Sequence, residues 1–109
     1  MKTESAAAQW LYEHAQVTFD ELVELSGLPP ELLRELVEYG ALEPSGGGEA
    51  QWSFTADCVL SVRTVGRLRE DFDLDATALP LALALVERIR DLEAQLRELQ
   101  SQLPRVRII

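Results

Sequence analysis

At 109 residues with a formal net charge of −9, the chain has material for one domain with a modest core and not for two. Residues 1–57 hold eleven Asp/Glu against two Lys/Arg, whereas residues 58–109 hold eight of each, so all of the net charge sits in the first half. A field of that sign repels DNA and anionic lipid and attracts basic partners, unless it serves only to keep a small domain soluble.

In chain order, residues 1–8 read as frayed. Lys2 and Glu4 are followed by only three alanines, which is no signal-peptide core. Residues 9–17 (QWLYEHAQV) are too few for periodicity to separate a short strand from a helical turn. His14, the single histidine, has no partner in sequence that would make it a metal ligand and is expected at the surface. Thr18 and Glu21 then form a capping box. The helix they open, about 19–26, is expected to bury Phe19, Leu22, Val23 and Leu25 and to stop at Gly27. Pro29 and Pro30 suit the first turn of a second helix, where a missing N–H costs little. That helix should turn Leu32, Leu33, Leu36 and Val37 inward and end at Gly40. Two short helices joined by a tight glycine-containing turn make a helix-turn-helix unit.

Residues 43–54 (EPSGGGEAQWSF) read as a glycine-rich hairpin, or wing, returning along a strand 51–54 in which alternation turns Trp52 inward with Phe54. Thr55 caps a third helix, about 56–71, with Val59, Leu60, Val62, Val65 and Leu68 as its apolar face. Cys58 falls on the inner side of that helix and, being the only cysteine, reads as an inert core thiol. A break follows at DFDLDATALP, anchored by Phe72 and Leu74, with Asp71, Asp73 and Asp75 in water. Asp75 is expected to cap the last helix, and Pro80 to be tolerated near its start. The longest uncharged run, 76–86, is far short of a membrane span, so a cytoplasmic protein is expected.

The last segment carries the clearest period. Leu85, Ile89, Leu92, Leu96, Leu99 and Leu103 are spaced 4, 3, 4, 3, 4, the a/d rhythm of a coiled coil. Such a stripe is satisfied by packing on its own domain or by a second copy of the chain. The second is favoured, because the stripe outruns any element it could pack against. The expected organisation is a winged helix-turn-helix region over 1–74 and a helical, dimerising region over 75–109, together one compact and mainly α domain.

Helix-turn-helix, wing, third helix and terminal coiled coil, in that order, resemble the MerR-like winged-helix architecture, whose members dimerise through antiparallel C-terminal helices. The stretches LPPELLRELVEYGALEP (28–44), QWSF, VGRLREDFDLD and LPLALALVERIRDLEAQLRELQSQL are similar to one branch of it, the CbpM chaperone-modulator family. The resemblance covers about residues 18–103 and leaves the N-terminal segment unaligned. It implies a non-enzymatic regulator that binds the J-domain of the DnaJ-like co-chaperone CbpA. Such a regulator blocks stimulation of DnaK and restrains CbpA's own DNA binding, and it needs no cofactor and no metal.

The charges agree with that resemblance. MerR-like DNA binders carry bases on the recognition helix and on the wing, whereas here the helix carries Glu31, Glu35 and Glu38 with Arg34 alone, and the wing carries Glu49. Each absent phosphate contact lowers the electrostatic part of DNA affinity, so direct DNA binding is not expected, although a MerR-like transcriptional regulator remains the alternative. A J-domain presents a basic helix, for which two acidic surfaces compete. One is the helix-turn-helix face with Asp20, Glu24, Glu31, Glu35 and Glu38; the other is the break with Glu70, Asp71, Asp73 and Asp75. The second is favoured for the apolar residues beside it. No nucleophile–His–acid set, phosphate loop or calcium loop is present in the sequence.

Overall fold

The computed structural model describes residues 15–103. Its elements are β1 (Gln16–Thr18), α1 (Phe19–Ser26), α2 (Pro30–Glu38), a 3₁₀ turn (Glu49–Gln51), β2 (Ser53–Thr55), α3 (Ala56–Phe72), a second 3₁₀ turn (Ala76–Ala78) and α4 (Leu79–Gln102). The described end of the ambiguous stretch 9–17 is a strand. β1 pairs antiparallel with β2, Val17 opposite Phe54, so a partner far along the chain decides what local periodicity could not. Residues 9–14, with His14, and the segment 1–8 lie outside the described residues.

Local signals place the helix-turn-helix. Thr18 Oγ1 accepts the Glu21 N–H at 3.1 Å and the Glu21 carboxylate accepts the Thr18 N–H at 2.8 Å, so each satisfies a donor the other leaves orphaned. α1 ends at Gly27 in the left-handed region, φ 77°. α2 closes on a Schellman arrangement: the Ala41 N–H reaches the Leu36 carbonyl at 2.9 Å and the Gly40 N–H reaches that of Val37 at 3.0 Å. Phe19 and Leu22 are buried, as are Leu33 and Leu36, while Val23, Leu32 and Val37 are half-buried. Leu25, expected inside, is 48 % exposed. The buried face of α1 is Phe19, Leu22 and Ser26, and at 3.6 residues per turn Leu25 falls about a quarter-turn off it.

The wing closes through a single bridge, Ser45 and Ser53 exchanging N–H···O bonds of 2.9 Å. The expected strand 51–54 is shorter than predicted: Gln51 belongs to the 3₁₀ turn and the strand begins at Ser53. Trp52 still meets the core, edge-on to Phe19 at 5.7 Å and to Phe54 at 6.3 Å. Thr55 caps α3 by accepting the Cys58 N–H. Val59, Val62 and Val65 are buried on that helix, while Leu60 and Leu68 are half-buried. At Gly66 a Cβ would overlap the Ser26 carbonyl oxygen. The glycine therefore lets α1 end directly against α3, at about 1 kcal/mol of lost helix propensity.

Two expectations at the break are corrected. Phe72 does not anchor it: the ring is 69 % exposed, because it lies nearly two turns past Gly66, where α1 has already ended. Leu74 alone turns back onto the core, after Asp73 takes a left-handed conformation with φ 53° and the Leu74 N–H bonds the Arg69 carbonyl. Asp75 does not cap the last helix. It opens the 3₁₀ turn, its carbonyl accepting the Ala78 N–H and its carboxylate the Thr77 hydroxyl. α4 begins at Leu79 with Pro80 in its first turn, where proline is tolerated, and its N-cap position offers no side-chain acceptor. Leu79 and Leu83 complete a core otherwise drawn from the helix-turn-helix, β2 and α3. Past Leu83, no residue of α4 is fully buried.

Candidate partner-binding surface

α2 is amphipathic because Leu33 and Leu36 sit one turn apart against the core. That geometry fixes where its charges point. Glu31, Glu35 and Glu38, spaced i, i+4 and i+7, are all exposed, as a single helical face requires. The one base among them is already paired within the domain. Arg34 Nε donates to both carboxylate oxygens of Glu49 on the wing, each at 3.0 Å, and its guanidinium lies 5.4 Å above the Phe19 ring. A half-exposed pair of this kind adds at most about 1 kcal/mol to stability. Its larger effect is to neutralise the recognition helix's only cation, across a fifteen-residue separation that the sequence reading did not connect.

The two acidic sets held apart in the sequence come together in part. An open groove runs between the start of α2 and the corner from α3 to α4. It is lined by Pro29, Glu31 and Leu32 on one side and by Arg69, Asp73, Leu74, Asp75 and Ala76 on the other. A separate narrow crevice shares Leu32 and Ala76 with it and is lined further by Glu35, Leu36, Tyr39, Leu79 and Pro80. Glu31, Asp73 and Asp75 therefore border one groove with Leu32 and Leu74 between them, and Glu35 lines the crevice beside it. Glu38, Glu70 and Asp71 are exposed but do not line it, and Asp20 and Glu24 belong to α1. The corner is built by Asp73: its left-handed backbone reverses the chain and sets Leu74 inward and Asp75 at the rim.

A second charged cluster, not anticipated from sequence, joins α3 to α4. Asp57 accepts from Arg90 Nη2, and Glu87 and Asp91 line the same cleft. Burial holds the Glu87 carboxyl above its usual range, helped by the negative charges of Asp57 and Glu43 and opposed by Arg90. Beside it, burial first and then Glu87 and Asp57 push the Cys58 thiol up to about 12. It stays protonated, in keeping with the inert thiol expected, although it is only half-buried. Among the described residues, no three His, Cys, Asp or Glu side chains are grouped to hold a metal ion, and no helix is long and apolar enough to cross a membrane.

Leu85, Ile89, Leu92, Leu96, Leu99 and Leu103 run down α4 with exposures between 45 and 66 %, and Leu81 extends the row toward the core. Among the described residues, no other element buries them.

Comparison with known proteins agrees with this layout. The family described as MerR HTH family regulatory protein matches residues 17–101. Curated relatives include the chaperone modulatory protein CbpM of Escherichia coli O1:K1, 33 % identical over 88 residues, which are 81 % of this chain and 87 % of the relative. The protein of that name from Coxiella burnetii is 30 % identical over 81 residues, 74 % of this chain and 76 % of the relative. That from Pseudomonas putida W619 is 28 % identical over 95 residues, covering 87 % and 83 % respectively.

Proposed function

The chain belongs to the MerR HTH family and to its CbpM group, and on that premise we propose that it is a chaperone modulator. It binds the J-domain of a CbpA/DnaJ-like co-chaperone in the cytoplasm and inhibits both the stimulation of DnaK and the co-chaperone's DNA binding. The observation that carries this reading is the sign of the helix-turn-helix surface. Its scaffold is that of a DNA reader, but its exposed face is acidic and its one arginine is held by Glu49. Phosphate contacts supply most of the non-specific affinity for DNA, and here carboxylates take their place. The same carboxylates attract a basic protein surface.

The active form is a homodimer through α4. An antiparallel a/d register centred on Ala94 sets Leu85 against the partner's Leu103, Ile89 against the partner's Leu99 and Leu92 against the partner's Leu96. It buries every member of the stripe. The test of function is a titration with an isolated CbpA-type J-domain at low and high salt. Saturable binding that weakens with salt is expected, and absence of binding at both ionic strengths overturns the reading. The family's DNA-reading architecture supports one rival, a transcriptional regulator. Nanomolar, salt-sensitive binding of duplex DNA in a gel-shift assay would favour it instead.

A further inference from the structure

The groove between α2 and the α3–α4 corner has features that the acidity of the surface alone does not explain. Its carboxylates are on opposite sides: Glu31 on α2, with Glu35 one helical turn on in the adjoining crevice, and Asp73 and Asp75, two residues apart, on the corner. Between them the lining is apolar, with Leu32 and Leu74 half-buried against the core. The adjoining crevice holds Tyr39, 73 % exposed, a residue type enriched among those that carry binding energy at interfaces. Among the described residues, no strand residue lines the groove, so an extended segment would find no sheet edge there to pair with. An amphipathic helix needs none, since its backbone is already satisfied.

The charges set further terms. Nucleic acid is repelled from both sides. Arg69 is the one base at the groove and forms no ion pair within 4 Å among the described residues. It adds positive charge where the surrounding carboxylates would otherwise act on an occupant unopposed.

We infer that this groove seats a basic amphipathic helix of a protein partner, its apolar ridge between Leu32 and Leu74 and its basic flanks directed at Glu31 and Glu35 on one side and Asp73 and Asp75 on the other. The inference rests on the co-chaperone reading for the identity of that partner. The groove supplies the chemistry of the occupant. Glu38, Glu70 and Asp71 contribute only to the general field, and Arg69 opposes the occupant.

The test uses the full chain and three variants, titrated at low salt with an isolated CbpA-type J-domain and with a synthetic Leu/Lys amphipathic helix of about 18 residues. Glu31→Gln with Asp73→Asn removes one carboxylate from each side; asparagine is well suited to the left-handed backbone at 73. Glu70→Gln with Asp71→Asn makes the same change in net charge outside the groove. Arg69→Gln removes the opposing cation. Circular dichroism confirms the fold of each, and Glu31→Gln alone serves if the double variant does not fold. The groove pair should raise the dissociation constant by about tenfold, the outside pair by less than about threefold, and Arg69→Gln should lower it by about threefold. Equal weakening by the two pairs, or weakening by Arg69→Gln, overturns the inference while leaving J-domain binding intact. If the J-domain does not bind at all, the co-chaperone reading fails. The peptide then decides the groove separately: loss of its binding in the groove pair alone supports the site, and equal binding to all variants, or none, overturns it.

Discussion

Replacing Leu92 and Leu96 together by glutamate strikes the centre of the α4 stripe. In the single chain these side chains are 45 % and 55 % exposed, so about half of each remains to be covered by a second copy. Complete burial of a leucine is worth about 1.5–3 kcal/mol, and the uncovered half therefore about 0.75–1.5 kcal/mol. Two positions in two protomers make four side chains and about 3–6 kcal/mol of association energy. In the antiparallel register Leu92 faces the partner's Leu96, so the substitutions also set carboxylates face to face in the central layers, which adds to the loss. At about 1.4 kcal/mol per decade, the dimer dissociation constant should rise by two to four orders of magnitude. Sedimentation velocity at micromolar concentration should then show a monomer. Its helix-turn-helix core should persist, because Leu79 and Leu83, which anchor α4, are untouched. A dimer whose dissociation constant moves by less than about threefold would refute the register and the burial estimate, since a change that small is under 1 kcal/mol.

Gly66→Ala should destabilise the fold by about 1–3 kcal/mol despite alanine's better helix propensity, since the new methyl meets a backbone carbonyl that cannot rotate away. Urea denaturation measures this, and a stabilised variant would mean that α1 and α3 separate at no cost. Glu87→Gln should stabilise the chain at pH 7. Because the folded carboxyl is raised, the contribution of wild-type Glu87 is fully present below the unfolded value of about 4.3 and is lost as pH rises through the folded value. The difference in melting temperature should therefore vanish near pH 4; a difference constant from pH 4 to 7 would refute the assignment. Cys58, with its thiol at about 12, should alkylate at pH 8 at least about a thousandfold more slowly in the folded chain than in urea. Equal rates would show that the thiolate is not suppressed.

Most of the backbone plan was legible because its signals are local. A capping box, two glycine stops, a proline pair and a 4-3-4 apolar rhythm each act within a turn or two of helix, and each lies where it was read. The misreadings share a cause: they concern which part of an apolar face another element covers. Leu25 and Phe72 are apolar residues in regular helices, yet α1 shows its other side to α3, and α3 outlasts the elements packed on it. Asp75 has the composition of a helix cap, but a 3₁₀ turn intervenes before α4 begins. The candidate site divides in the same way. Its acids were visible as two sets, whereas the groove that joins Glu31 to Asp73 and Asp75 depends on a reversal at one left-handed aspartate.

By itself the sequence determined that α2 is acidic outside and leucine-lined inside, because both follow from residue type and helical period. Only the tertiary structure decided that its single arginine is held by a wing glutamate and that its first turn faces the α3–α4 corner. Charge and periodicity are properties of residues taken a few at a time, whereas neutralisation and shape depend on which distant segments the core brings within reach.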